Sequence, residues 1–308
     1  MFSNFCFRFF STAFAFAACA MSVSDVHAEQ IWVSDGVNKA RGWSDVNKTG
    51  NSDSMQCWCA AAANIIDFWQ KNATPEMIPE SAPQGAEEIF KRFNETFIDI
   101  GRGEDVAWRW YFGGCDLVPE SYLYDFRKAE GARESGRFWE KRIVRKYGWT
   151  SPREAMPRYV VNGFAVDVSP EQLCAGELAE TFLGLLKNKK PIALSLSSGG
   201  KFPQGHVVTV WGMEYQGDRI KSLYITDSDD YVTELRKYDV AYVTTEEAGG
   251  DGKADGVPFF KWEKTTIYLQ KYHGSNGYAL QSWSVLNLPF AKKVKPKKGI
   301  SLRSEAKK

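Results

Sequence analysis

Two cysteines one residue apart, Cys57 and Cys59, stand where the polar run Ser52-Asp53-Ser54 gives way to the alanine-rich stretch Cys57-Trp58-Cys59-Ala60-Ala61-Ala62-Ala63. Thiols so placed can ligate a metal, form a staple, fill a core or attack a carbonyl. Cys-x-Cys is a poor zinc spacing, and no second Cys or His pair lies near it in sequence. Two positions along a helix differ by about 200° of rotation, so the pair cannot share one cleft. One thiol then belongs to the core while the other opens the helix. A helix start carries partial positive charge and unpaired N–H groups, which stabilise a thiolate and cradle an oxyanion. That places Cys57 as candidate nucleophile; a buried structural thiol is its rival reading.

A nucleophilic thiol needs a base, and beyond the first thirty residues the chain has two histidines, His206 and His273. His206 follows a glycine and begins the apolar run HVVTVWGMEY, so its imidazole projects at a strand end. His273 lies in Tyr272-His273-Gly274-Ser275-Asn276-Gly277 and reads as a surface turn. The base in turn needs an orienting acceptor. Across a hairpin from His206, the run SLYIT ends in Asp227-Ser228-Asp229-Asp230, which puts the Asp227 carboxylate on the neighbouring strand. Calcium is the competing use of these acids. An EF-hand loop requires Gly at its sixth position, where Val232 stands, and Lys253 occupies a ligand slot of Asp251–Gly256. The residues therefore imply no metal and no cofactor. Trp211, on the strand begun by His206, is either a shield for the His–Asp bond or a core residue.

The elements that must position these groups change period midway. Gln56 to Lys71 carries Ile65, Ile66, Phe68 and Trp69 at helical spacing, and Gln84 to Phe97 places Ile89, Phe90, Phe93 and Phe97 likewise. A short aromatic helix, EDVAWRWYF, stops at Gly113-Gly114. Glu130 to Glu154 is charged and poorly periodic, a surface excursion. After a helix near Glu177 to Leu186, the runs PIALSL, HVVTVWGMEY and SLYIT alternate as strands, with Gln216-Gly217-Asp218 as a hairpin turn. Val257 to Leu269 and Tyr278 to Val285 supply further strands. The class implied is α+β, a helical first half packed on an antiparallel-sheet second half.

The 308 residues, 44% hydrophobic and 25% charged, suit one large domain. The net charge of +1 offers nucleic acid no basic excess. It hides an acidic body and a Lys-rich tail, Ala291 to Lys308, whose composition cannot bury enough apolar surface to fold. At the other end, Arg8 precedes an apolar run from Phe9 to Met21, and Val26-His27-Ala28 fits small-x-small cleavage before Glu29. Residues 1–28 thus read as a secretory signal peptide, 29–290 as the catalytic domain and 291–308 as a disordered tail. The apolar run is too short to span a membrane, so no stable insertion is expected, and lipid attachment at Cys19 is the weaker alternative. Export leaves Cys57, Cys59, Cys115 and Cys174 in an oxidising compartment, where one working thiolate permits at most one disulfide.

With Cys57, His206 and Asp227 in place, the chain resembles the IdeS/Mac family of secreted, IgG-degrading cysteine endopeptidases. The resemblance rests on Gly42-Trp43-Ser44-Asp45-Val46-Asn47-Lys48-Thr49, on CWCAAAANIIDFW, on GHVVTVWGMEY and on LYITDSDD, in that order. It spans Trp43 to Trp283, with residues 72 to 190 matching loosely. It implies a papain-like fold and a Cys-His-Asp site, with Cys57 as nucleophile, His206 as base and Asp227 as orienter. It also assigns Lys48 to the oxyanion hole, one residue nearer the cysteine than in the family, and Asp229 as supporting acid. The implied partner is a protein substrate, immunoglobulin or another host protein. A catalytically silent immunoglobulin-binding or adhesin-like protein is the alternative, as is an amidase or acyltransferase on a non-protein substrate.

Overall fold

The computed structural model describes residues 27–124, 138, 158–160, 175–198, 205–249, 260–275 and 277–288. Residues 1–26, where a signal peptide is expected, residues 289–308, Cys174 and, Phe138 apart, the Glu130–Glu154 stretch lie outside them. Helix α1 (Cys57–Asn72) is the central element. Its residues from Cys57 to Gln70 are all buried, so it is covered on every side and needs no amphipathic stripe. Helices α2 (Ala86–Thr96) and α3 (Glu104–Gly113) cover one side through Ile89, Phe90, Phe93, Trp108 and Trp110. The other side meets strands β3 (Ile192–Ser197) and β4 (Gly205–Gln216).

The strands do not form the expected sheet. In chain order they are β1 (Glu29–Trp32), β2 (Arg158–Val160), β3, β4, β5 (Arg219–Thr226), β6 (Arg236–Gly249), β7 (Phe260–Leu269) and β8 (Tyr278–Val285). Each of β3, β8, β7, β6 and β5 pairs with the next, and β5 pairs back to β4, which itself pairs with β3. Six antiparallel strands thereby close into a barrel. The papain-like α+β arrangement implied by the sequence is corrected to a closed six-stranded barrel with, among the described residues, four α-helices, the fourth being α4 (Ala175–Lys187). Closure depends on β6, which is not among the strands expected from the sequence: it joins β5 over Ser222↔Asp239 to Ile225↔Arg236 and β7 over Val240↔Leu269 to Gly249↔Phe260. Register shifts in β4 opposite β5 supply the bending that closure requires.

Alternation along β3 and β4 explains why both are buried almost throughout. Ala193 and Val207 face the helical layer, while Leu194, Leu196, Val208 and Val210 join the second core with Leu223, Ile225, Ile267 and Trp283. Strand β1 adds to the free side of β4, where Gly212 leaves room for the Trp32 ring: a Cβ there would lie 2.6 Å from it. Among the described residues, no helix is long and apolar enough to cross a membrane.

Candidate active site

Cys57 is the first residue of α1. The preceding Gln56 makes no side-chain cap, and the first turn holds no acid, so the positive end of the helix is left uncompensated. The start of α1 is fixed by the segment after α2: Gln56 Nε2 donates to the Phe97 carbonyl at 3.1 Å, and Trp58 Nε1 to that of Ile100 at 2.8 Å. The two thiols separate as their spacing requires. Cys59 is fully buried, and burial pushes its thiol well above the ordinary range. Cys57, 8% exposed, lies close enough to His206 to help raise the pKa of its imidazole. Cys57 and Cys59 are free thiols.

His206 is the second residue of β4 and sits at the rim of the barrel. Its Nε2 donates to Asp227 Oδ1 at 2.7 Å, which leaves the Nδ1 side of the ring for other partners. Burial opposes charge on this imidazole, but the hydrogen bond to Asp227 and the neighbouring Cys57 outweigh it and lift its pKa up to about 10. Asp227 follows directly on β5, whose Thr226 pairs with Thr209 of β4, so the hairpin itself sets the two side chains together. Trp211 fixes the strand end, donating to the Thr226 hydroxyl at 2.9 Å and packing edge-on against Phe68. It is a core residue.

Lys48 and Asp229 join the same cluster. Lys48 Nζ lies 2.6 Å from Asp229 Oδ1 and also donates to the Ser54 carbonyl. Asp229 Oδ2 stands 3.6 Å from His206 Nδ1. The loop that carries the lysine is wound on Asp53, whose carboxylate accepts from the N–H of Thr49 and of Gly50 at 2.9 and 2.8 Å. Residues 44–48 then run along the Asp227–Glu234 loop. The Lys48 N–H donates to the Ser228 carbonyl at 2.9 Å, Asn47 Nδ2 to that of Val232 at 3.1 Å, and the Glu234 N–H to Asp45 Oδ2 at 3.0 Å. From the other side, Asn64 of α1 accepts the Val46 N–H at 3.1 Å. The structure thus brings together all five residues singled out in the sequence: Lys48, Cys57, His206, Asp227 and Asp229.

His206, Asp227 and Asp229 could also hold a metal, since their ligand atoms lie within 4.8 Å of one another. The donor set argues otherwise. Both Asp227 oxygens accept hydrogen bonds, and the Lys48 ammonium already compensates Asp229. Two neighbours of Asp227 escaped the sequence reading. Tyr272 hydroxyl and His273 Nε2 both donate to Asp227 Oδ2, the latter at 2.8 Å. His273 was read as a surface turn, because nothing local in Tyr-His-Gly-Ser-Asn-Gly points to a carboxylate 46 residues earlier. Burial alone would raise the Asp227 pKa, but the hydrogen bonds from His206, His273 and Tyr272 hold it well below the usual carboxylate range.

Residues 178–255 match the family model described as Mac 1. This segment holds His206, Asp227 and Asp229, and α1 lies outside it. An alignment 223 positions long, covering 62% of the chain, is 24% identical to an IgM protease of Streptococcus suis (strain P1/7). The IdeS/Mac resemblance is thereby borne out. The chain covers 18% of the length of that IgM protease. Gly42 opens the motif that carries Lys48, and its backbone explains the glycine. Its φ is +91°, and a Cβ would lie 2.3 Å from the Gly36 carbonyl oxygen.

Proposed function

We propose that this chain is an exported cysteine endopeptidase with Cys57 as nucleophile, His206 as base and Asp227 as orienter. The observation that carries the reading is the contact between Cys57, on an uncapped helix start, and a His206 whose far nitrogen is held by Asp227 at 2.7 Å. In this reading Cys57 and His206 form a thiolate–imidazolium pair, and the sulfur attacks a peptide carbonyl. The oxyanion is taken by the helix-start N–H of Cys57 with help from Lys48, which Asp229 and the Ser54 carbonyl hold beside the site. His206 then protonates the leaving amine, and water hydrolyses the acyl-enzyme with His206 as base. Asp227 holds the imidazole with Nε2 protonated, so that Nδ1 serves the sulfur.

The substrate we propose is an immunoglobulin, with IgM first because the Streptococcus suis relative carries that name. The test is to incubate the purified chain and its Cys57→Ala variant with IgM and with IgG, and to map fragments by mass spectrometry. Cleavage of either immunoglobulin by the wild type and none by the variant is expected. Equal cleavage by the variant rules out Cys57. Binding by both proteins without cleavage by either replaces the protease with an immunoglobulin-binding protein.

A further inference from the structure

The β7–β8 loop crosses the barrel rim and delivers two consecutive side chains to one carboxylate. Consecutive residues ordinarily point apart, yet Tyr272 hydroxyl and His273 Nε2 both donate to Asp227 Oδ2. The backbone shows how. Lys271 and His273 both adopt left-handed conformations, with φ of 53° and 48°, although neither is glycine. Left-handed non-glycine residues carry a conformational cost and persist where the surroundings enforce them. Here the enforcement is visible. Tyr272 is fully buried, its ring centred 5.2 Å from that of Tyr238 on β6 and 4.9 Å from that of Tyr278 on β8. The Gln270 N–H donates to the Asp239 carbonyl at 2.9 Å, and the Ser275 hydroxyl to the Tyr272 carbonyl at 2.6 Å.

The two oxygens of Asp227 are consequently divided. Oδ1 takes His206 Nε2 at 2.7 Å and the Asp229 N–H at 3.0 Å, while Oδ2 takes Tyr272 and His273. The rings of His206 and His273 stand 6.3 Å apart and nearly perpendicular, each on a different oxygen of the carboxylate. We propose that His273 is a positioning residue: by holding Oδ2 from the solvent side, it fixes the Asp227 carboxylate so that Oδ1 stays on His206. Tyr272 holds Oδ2 from the buried side; a second donor from the solvent side restricts the rotation about the Cβ–Cγ bond that would release the imidazole. His273 touches neither substrate nor sulfur in this scheme. It lies outside residues 178–255, so the match to the Mac 1 model carries nothing onto it. The inference deepens the protease reading and rests on it.

The charged and titratable groups around Asp227 are His206, His273, Tyr272, Asp229, Tyr238, Asp230 and Asp45. Removing His273 leaves the others in place, so its effect is separable. The test compares wild type, His273→Ala, His273→Gln and Tyr272→Phe by two readouts. One is the rate of Cys57 alkylation by iodoacetamide from pH 5 to 10, with Cys59 and Cys115 mapped in the same digest; the other is kcat and KM on IgM. His273→Ala is expected to lower kcat and Cys57 alkylation at pH 6 by about tenfold to a hundredfold, the effect of a lost hydrogen bond to a charged group. KM is expected within about twofold of wild type, since a positioning residue does not bind substrate. The alkaline limit of the profile should move to lower pH. Gln, whose amide reaches as far as Nε2, should restore most of the rate. Tyr272→Phe, which deletes only a hydroxyl, should move both readouts in the same direction as alanine and provides the test should His273→Ala fail to fold. Unchanged profiles in His273→Ala, or equal loss in Ala and Gln, overturn the inference. Wild-type Cys57 alkylating no faster than Cys59 overturns instead the reading beneath it.

Discussion

Asp45 offers a prediction whose size follows from the structure. The residue is 7% exposed, and one carboxylate oxygen accepts the Glu234 N–H while the other, buried, has no hydrogen-bond partner. Burial, with Asp230, Asp227 and Glu234 nearby, raises its pKa from 3.8 to about 8, against the lowering effect of the Glu234 bond. The sign follows. Between these two values the folded chain holds a proton that the unfolded chain has released, so stability falls as pH rises through that window. From pH 5 to pH 8 the loss assigned to this group is about 3–4 kcal/mol. Asp45→Asn keeps an oxygen for the Glu234 N–H and removes the titration. Urea unfolding of both proteins at pH 5, 6, 7 and 8 measures the difference. Between pH 5 and pH 8 the stability of the variant relative to the wild type should rise by about 3–4 kcal/mol. Other titrating groups, His206 among them, act in both proteins and cancel. Parallel pH curves would refute the reasoning. The result bears on the site, because the Asp45–Glu234 bond ties the Lys48 segment to the loop that carries Asp227 and Asp229.

Three further outcomes are expected. Lys48→Ala should lower kcat by about a hundredfold to a thousandfold, as for an oxyanion donor, with KM little changed in steady-state assays; a change confined to KM would make Lys48 a binding residue. Cys59→Ala should keep full activity and lose about 1–2 kcal/mol of stability in urea, because Cys59 is buried in the helical core and far above its ordinary ionisation range; loss of activity in a folded Cys59→Ala would reassign the nucleophile. Gly42→Ala should destabilise the chain by more than about 1 kcal/mol through its positive φ and the clash with Gly36, and an unchanged thermal midpoint would contradict that.

What the sequence made legible was local. The alanine-rich run with its Ile and Phe positions marked α1 to within a residue of Cys57–Asn72, and Gly113-Gly114 marked the end of α3. Gln216-Gly217-Asp218 announced the hairpin, which the structure turns at Gly217 with φ +59°. The same hairpin put His206 near Asp227, so two of the site residues were readable from turn chemistry alone. Closure of the barrel was not readable, because it depends on β8 returning between β3 and β7 and on β6 joining β5 to β7. Strand β6, RKYDVAYVTTEEAG, carries charge at both ends and half-exposed or exposed residues from Val240 to Glu246, so its sequence lacks a buried face to announce it. His273 escaped for a related reason: its partner is chosen by a left-handed backbone and a buried Tyr272, and neither has a local sequence signature.

The central claim is that Cys57 reacts because His206 lies against it. Alkylation of the intact chain with iodoacetamide at pH 6, followed by peptide mapping in the wild type and His206→Ala, tests this most directly. The account predicts rapid, selective modification of Cys57 in the wild type, slow modification of Cys59 and Cys115, and loss of the Cys57 rate in the variant. Cys57 reacting as slowly as Cys59, or as fast without His206 as with it, would contradict the account.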